Sequence, residues 1–156
     1  MRIYGIVPES IVDGPGIRYV VFVQGCPHHC PGCHNPGSHA FNEGKEIDVS
    51  TLVAEFSKNQ LLQGITLSGG EPMCQAAACY ELAKEAKRIG LNVWLYTGYT
   101  LDDLLTESDP DRMALLRTID VLVDGPYKQA ERSLDLRFRG SKNQRIFNMK
   151  EVMRYE

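Results

Sequence analysis

The segment Cys26-Pro-His-His-Cys30-Pro-Gly-Cys33 puts three thiols on one short loop with the spacing C-x3-C-x2-C. Thiolates are soft ligands that select zinc, copper(I) or iron–sulfur clusters. Pro27, Pro31 and Gly32 keep the segment from being helical throughout, so its backbone can curl round a metal centre. The number of thiols is informative. A structural zinc site closes with four protein ligands, and ferredoxin-type clusters use four cysteines. Three cysteines leave one iron of a cubane free to bind something else. Zinc remains an alternative on these residues alone, because His28, His29, His34 and His39 each offer a fourth ligand. Cys79 falls on an apolar helical stripe and reads as a core thiol. Cys74 follows a glycine turn and is a candidate for the wall of a site. His28 and His29 read as solvent-facing loop residues.

The second chemical feature is Gly69-Gly70-Glu71-Pro72, directly after an apolar segment. Paired glycines let a backbone approach a ligand closely. Their N–H and C=O groups, with Glu71, suit the ammonium and carboxylate of an amino-acid ligand. Two further polar positions sit at turns: Asp13, ahead of Gly14-Pro15-Gly16, and Asp124, ahead of Gly125. Each can equally be a turn-forming aspartate.

Four short apolar runs read as strands that would carry these loops: Tyr19–Val23, Ile65–Leu67, Val93–Tyr96 and Val121–Val123. They are nearly continuous rather than alternating, as strands buried on both faces of a parallel sheet are. Helical spacing lies between them. Val49, Leu52, Val53 and Phe56 follow i, i+3, i+4, i+7, with Ser50 as the expected N-cap. Cys79, Leu82, Ala83 and Ala86 repeat that spacing and end at Gly90, the position of a glycine cap. Shorter helices are expected over Leu101–Leu105 and Met113–Thr118. The order βαβαβαβ predicts an α/β fold with right-handed crossovers. A complete eight-unit barrel takes about 250 residues, so 156 residues predict an incomplete parallel β/α barrel in one domain, 1–156. Every strand ends in glycine or a polar residue. Ligands of parallel α/β folds bind at those carboxyl ends, so the chemistry should gather on one edge.

Composition is that of a globular chain, 43% hydrophobic and 24% charged. No apolar run approaches the length of a membrane helix, and Met1-Arg-Ile-Tyr-Gly shows no secretory h-region. A cytoplasmic location is therefore expected, where five cysteines point to metal binding or catalysis more than to disulfides. Residues 1–124 hold 9 Lys/Arg against 16 Asp/Glu, and residues 125–156 hold 8 against 4. That swing from −7 to +4 marks 125–156 as either a candidate docking tail or a solvated surface of uneven charge, and Arg137, Arg139 and Arg145 within it are equally a solvated face or docking contacts. A nucleic-acid footprint would need a domain-wide basic patch.

Taken together, C-x3-C-x2-C after the first strand and GGEP after the second resemble the radical S-adenosylmethionine superfamily. Asp13-Gly14-Pro15-Gly16-Ile17-Arg18 resembles the signature of glycyl-radical-enzyme activases. Val93–Tyr99, Val123–Tyr127 and Arg139-Gly140-Ser141-Lys142-Asn143-Gln144-Arg145 are similar to the activases of anaerobic ribonucleoside-triphosphate reductase, and the similarity covers nearly all of residues 1–146. The resemblance implies a [4Fe–4S] cluster held by Cys26, Cys30 and Cys33, with S-adenosylmethionine chelated at the unique iron. It implies reductive cleavage of that cofactor to methionine and a 5′-deoxyadenosyl radical, which takes hydrogen from a glycine of the reductase's large subunit. It further implies that Gly32, Cys33 and His34 touch the adenine and that Gly69, Gly70 and Glu71 touch the methionine part. Asp124 is expected near the cofactor, and Asp13 near the substrate glycine. A flavodoxin or ferredoxin is the implied electron donor. The chain departs from common patterns at Gly32, where many members have an aromatic, and at His34, where activases often have Tyr. Related alternatives are an activase for a different glycyl-radical enzyme and a small-molecule enzyme such as carboxy-deazaguanine synthase. A non-catalytic zinc-binding module is the alternative of another class.

Overall fold

In a computed structural model, which describes residues 1–133 and 135–155, the parallel strands send alternate side chains to opposite faces of one sheet. Leu134 and Glu156, both in the basic segment 125–156, lie outside the described residues. The central strands are β2 (Arg18–Val23), β4 (Gly64–Gly69), β5 (Asn92–Tyr96) and β6 (Val121–Asp124), all parallel and neighbours in that order. On one face Tyr19, Val21, Val23, Ile65, Leu67, Val93, Leu95 and Leu122 enter the main core. They meet Leu52 and Phe56 of α1 (Val49–Ser57), Cys79, Leu82, Ala83 and Ala86 of α2 (Ala76–Arg88), and Met113, Leu115 and Leu116 of α4 (Pro110–Thr118). The opposite face carries Arg18 at the start of β2, Thr66 and Trp94 in mid-strand, and Phe22, Ser68 and Tyr96 toward the carboxyl ends, where they line a cavity. One face thus supplies stability, and the other is left for function.

The expected parallel β/α unit is present, but three antiparallel strands extend it. β1 (Arg2–Ser10) pairs with β2, β3 (Lys45–Glu46) pairs with β1, and β7 (Arg145–Asn148) pairs with β6. The sheet order is β3-β1-β2-β4-β5-β6-β7, open at β3 and β7, so the barrel is incomplete. The N-terminal segment and the basic tail are therefore parts of the sheet. A short α5 (Met149–Val152) follows β7 and buries Met149 in the core. β1 and β7 escape a search for apolar runs because each is an outer strand with several exposed positions.

Helix ends follow local chemistry, with one correction. α1 starts at Val49, so Ser50, the expected N-cap, lies inside the helix; Asp48 holds the cap position without a side-chain bond. The amides of Gly90 and Leu91 donate to Lys87 and Ala86 carbonyls (3.1 and 2.9 Å), and Gly90 takes φ +89°, which gives α2 the Schellman ending expected of a terminal glycine. α3 (Leu101–Glu107) is capped by the Thr100 hydroxyl and α4 by the Asp109 carboxylate, ahead of Pro110. Among the described residues no helix is long and apolar enough to cross a membrane.

Candidate active site

The carboxyl ends of the parallel strands open onto a cavity of about 580 Å³. Cys26, Cys30 and Cys33 all line it, with Ser68, Gly69 and Gly70 from the end of β4 and Tyr96, Thr97 and Gly98 from the end of β5. Asp13 and His34 are also on the lining, together with Tyr127, Phe138 and Arg139 of the C-terminal segment. The basic tail thus supplies one wall of the cavity rather than standing apart from it.

The cysteine loop is anchored at both ends. The Gly25 and Cys26 amides donate to the carbonyls of Ser38 and His39 (2.7 and 3.0 Å), and the Cys33 amide donates to Cys30 O (3.1 Å). Cys26 is buried, and Cys30 and Cys33 are partly exposed. Burial pushes the Cys26 thiol up to about 11. A metal ligand must give up that proton, so metal binding at this loop releases it. Cys79 is buried on the core face of α2, with its thiol pushed up to about 12 by burial, and is the core residue expected. Cys74 is exposed and opens onto a separate surface pocket beside Arg112. Three thiols therefore share the cavity.

Among the described residues no group of three or more His, Cys, Asp or Glu side chains is drawn together as one metal ion requires. The three thiols are set round a space instead, and the soft donor set and the room beside it fit an iron–sulfur cluster with an open iron.

The glycine turn differs in detail from expectation. The Gly70 and Glu71 amides already donate to Val23 O and Gly25 O (2.8 and 2.7 Å). A Cβ on Gly70 would come within 2.4 Å of Gly25 O, and one on Gly69, at φ +94°, within 2.5 Å of the Val23 nitrogen. The glycines are required first by the close approach of this turn to the cysteine loop. Glu71 is fully buried and does not line the cavity. Its Oε1 pairs with His28 Nε2 (2.6 Å) and accepts from the Gly98 amide (2.7 Å). Its Oε2 accepts from the Met73 amide (3.0 Å) and the Thr97 hydroxyl (2.9 Å). The carboxylate is saturated by the protein and holds the cysteine loop to the ends of β4 and β5.

His28 is the residue that sequence reasoning misplaced. It is not a solvent-facing loop residue: its side chain is 16% exposed, bonded to Glu71 and edge-on to Tyr99 at 4.6 Å. A Cβ on Gly98 would sit 2.5 Å from its ring. A glycine just past a strand end, opposite a bulky side chain, was the available signal. His29 is exposed as expected. Gly32 is exposed, outside the lining, and packs on Gln129; His34 is exposed and stacks obliquely on Tyr127 at 5.0 Å.

Asp124 is at the predicted edge, but its carboxylate is committed. Its Oδ2 accepts from the Leu101 amide (2.7 Å) and from Arg145 Nη2 (2.6 Å), and its Oδ1 accepts from Arg145 Nε (3.1 Å). That bond holds the Arg145 guanidinium above its ordinary pKa. Asp124 is thus the clasp that ties α3 and β7 to β6, and Arg145, though exposed, has its charge paired with that carboxylate. Arg139 likewise donates to Gln144 O (2.7 Å), whereas Arg137 is exposed. Asp124→Ala is expected to cost about 1–3 kcal/mol, the loss of a buried acceptor, and to leave metal content unchanged. Urea unfolding and iron analysis of the same preparation check both parts.

With this geometry in place, comparison with known proteins is decisive. The family of 4Fe-4S single cluster domains matches residues 12–147. Anaerobic ribonucleoside-triphosphate reductase-activating proteins match almost end to end. The one from Vibrio cholerae is 37% identical over 94% of this chain and 97% of its own. That of Escherichia coli K12 is 33% identical over 96% of this chain and 100% of its own. The chain belongs to this family of activating proteins. Its reach extends to enterobacteria phage T4, whose activating protein is 32% identical over 92% of this chain. Among solved structures, QueE from Escherichia coli overlays 64% of this chain and 52% of its own, with 17% identity and a TM-score of 0.48.

Proposed function

We propose that this member of the activating-protein family cleaves S-adenosylmethionine and generates a glycyl radical on the large subunit of an anaerobic ribonucleoside-triphosphate reductase. The observation that carries the reading is the meeting of three thiols from one loop with the glycine turn on a single cavity. When bound, a [4Fe–4S] cluster supplies the electron that splits the cofactor into methionine and a 5′-deoxyadenosyl radical, which takes hydrogen from the partner's glycine.

The chain's own residues hold and orient. Cys26, Cys30 and Cys33 are the cluster ligands. The amides of Gly70 and Glu71 are spent within the protein, so Gly69 and Gly70 meet the methionine ammonium with carbonyl oxygens. Glu71 acts from behind, fixing that turn against the cysteine loop. Cys33 and His34 line the side assigned to the adenine, with Gly32 behind them against Gln129. Asp13 lies at the mouth, where the glycine enters. The wall of Tyr127, Leu136, Phe138, Arg139 and Gly140 keeps water from the reacting centre, and the exposed Arg137 remains a docking contact. A flavodoxin or ferredoxin supplies the electron, and the setting is the cytoplasm, where thiols stay reduced.

The test is anaerobic incubation with the reductase large subunit, a reductant and S-adenosylmethionine, followed by electron paramagnetic resonance. An organic radical that requires every component is expected. No radical with the reductase, alongside a radical on another glycyl-radical enzyme tested in parallel, would reassign the partner.

A further inference from the structure

Among the described residues three charged side chains are fully buried: Arg18, Glu71 and Asp124. Glu71 faces His28 and Asp124 faces Arg145, but among the described residues no carboxylate pairs with Arg18. Burying a cation without a counter-ion is costly, and an apolar residue of similar volume would usually serve a core better. The guanidinium offers what an apolar residue cannot, donors fixed in a planar fork.

Two branches of that fork hold one turn. Arg18 Nη1 donates to Pro15 O at 3.0 Å. Arg18 Nε donates to the Thr66 hydroxyl oxygen at 2.7 Å, and that hydroxyl donates its own hydrogen to Asp13 O at 2.7 Å. Because Thr66 accepts from a permanent donor, its proton has one direction to go. A third branch, from Nη2 to Ile65 O (2.7 Å), fixes the guanidinium to β4. Gly14 lies directly on it: a Cβ there would come within 2.8 Å of Arg18 Cδ.

Outside this fork, the turn is tied at its two ends. Ile11 and Val12 at its tip are 75% and 73% exposed, so nothing packs over it from outside. Gly14 and Gly16 adopt φ +129° and +75° and add no side chain. At one end the Ser10 hydroxyl of β1 bonds Asp13 Oδ2, and at the other Gln63 brackets Ile17, its side chain accepting from the Ile17 amide and its own amide donating to Ile17 O (2.8 Å). On its other side Arg18 lies over Trp94, 5.7 Å from the ring centre. Trp94 in turn meets Phe138 edge-on at 5.3 Å, and Phe138 lines the cavity. The Asp13 lip and the Phe138 lip thus rest on one support.

We infer that Arg18 is a positioning residue for radical delivery: through Thr66 it holds Asp13 at the cavity mouth, and through Trp94 it keeps that lip in register with Phe138. The inference rests on the function proposed above. The thiols and the glycine turn sit at the opposite ends of the strands from Arg18, so loosening the fork leaves cofactor cleavage standing and disturbs transfer to the partner. A displacement of about 1 Å is enough to cost on the order of a hundredfold in a positioned reaction.

Thr66→Val removes the hydroxyl relay, and Arg18→Lys keeps a cation but loses the fork. For each, iron content, 5′-deoxyadenosine formed without the partner, and glycyl-radical spins per 5′-deoxyadenosine with the partner are measured. Amide hydrogen exchange of residues 11–17 is followed on the same samples. The expected result is full iron, wild-type cleavage, a fall of about tenfold or more in spins per 5′-deoxyadenosine, and faster exchange confined to the turn. Unchanged spins per 5′-deoxyadenosine in an iron-replete Thr66→Val protein overturns the inference, as does unchanged exchange at 11–17. If Arg18→Lys loses its iron, Thr66→Val decides. Wild-type protein that makes no radical on the reductase defeats the functional reading instead, and the exchange measurement then judges the anchor by itself.

Discussion

Replacing Cys26, Cys30 or Cys33 singly by serine is expected to remove cluster-bound iron and to reduce radical formation to the background of cluster-free protein. Each thiol is one of three on a shared cavity, with no fourth cysteine there to substitute. A hydroxyl is a hard, poorly acidic ligand and does not replace a thiolate on iron. Cys74→Ser and Cys79→Ala are the internal controls. Cys74 opens onto a separate surface pocket, and Cys79 is buried in the core, so both variants should keep their iron. Cys79→Ala should lose only packing. Iron and sulfide analysis of anaerobically purified proteins, with the visible spectrum, checks the set. A Cys30→Ser protein that retained a full cluster would show that the thiols on this cavity are not its ligands.

The second large effect is on stability and is expected at Glu71. Glu71→Ala leaves the Met73 and Gly98 amides, the Thr97 hydroxyl and His28 without their acceptor in a site with no solvent exposure of the carboxylate. Each stranded buried donor costs about 1–3 kcal/mol. Breaking a buried pair by removing one partner costs roughly 3–5 kcal/mol, a large share of the ~5–15 kcal/mol that holds a domain together. The melting temperature of the metal-free protein should fall by on the order of 10 °C. Glu71→Gln keeps the shape but turns an amide donor toward donors, so it should also destabilise, by less. If Glu71→Ala melts with the wild type while losing only cofactor binding, the carboxylate contacts the ligand rather than the protein.

The chemistry was legible because it is local. Cys26, Cys30 and Cys33 lie on one loop, and spacing that short can be read without a fold. The four parallel strands were legible too: Val, Ile and Leu runs ending in glycine or polar residues mark strands whose ends face one edge. Gly90 announced the end of α2, since a positive φ there needs no partner from elsewhere. β1 and β7 were not legible: Gly5 and Pro8 break the apolar stretch of β1, β7 has only Ile146 and Phe147 between polar residues, and in each the partner strand decides its state.

The roles of the polar residues were decided by tertiary structure. Glu71 and Asp124 look from the chain like ligand-facing carboxylates at strand ends, and they stand at those ends. Their acceptors are filled by groups 43 and 21 residues away, His28 and Arg145. A sequence shows that a carboxylate sits beside a site, but only the fold shows whether its lone pairs are already taken. The same holds for the tail, whose positive charge is visible in composition while the pairing of Arg145 with Asp124 is not. The grouping of three thiols was fixed by the order of residues along one loop. What braces that loop, and which residues shape the mouth through which a glycine would reach it, was set by contacts across the sheet, since burial and hydrogen-bond saturation exist only once distant segments meet.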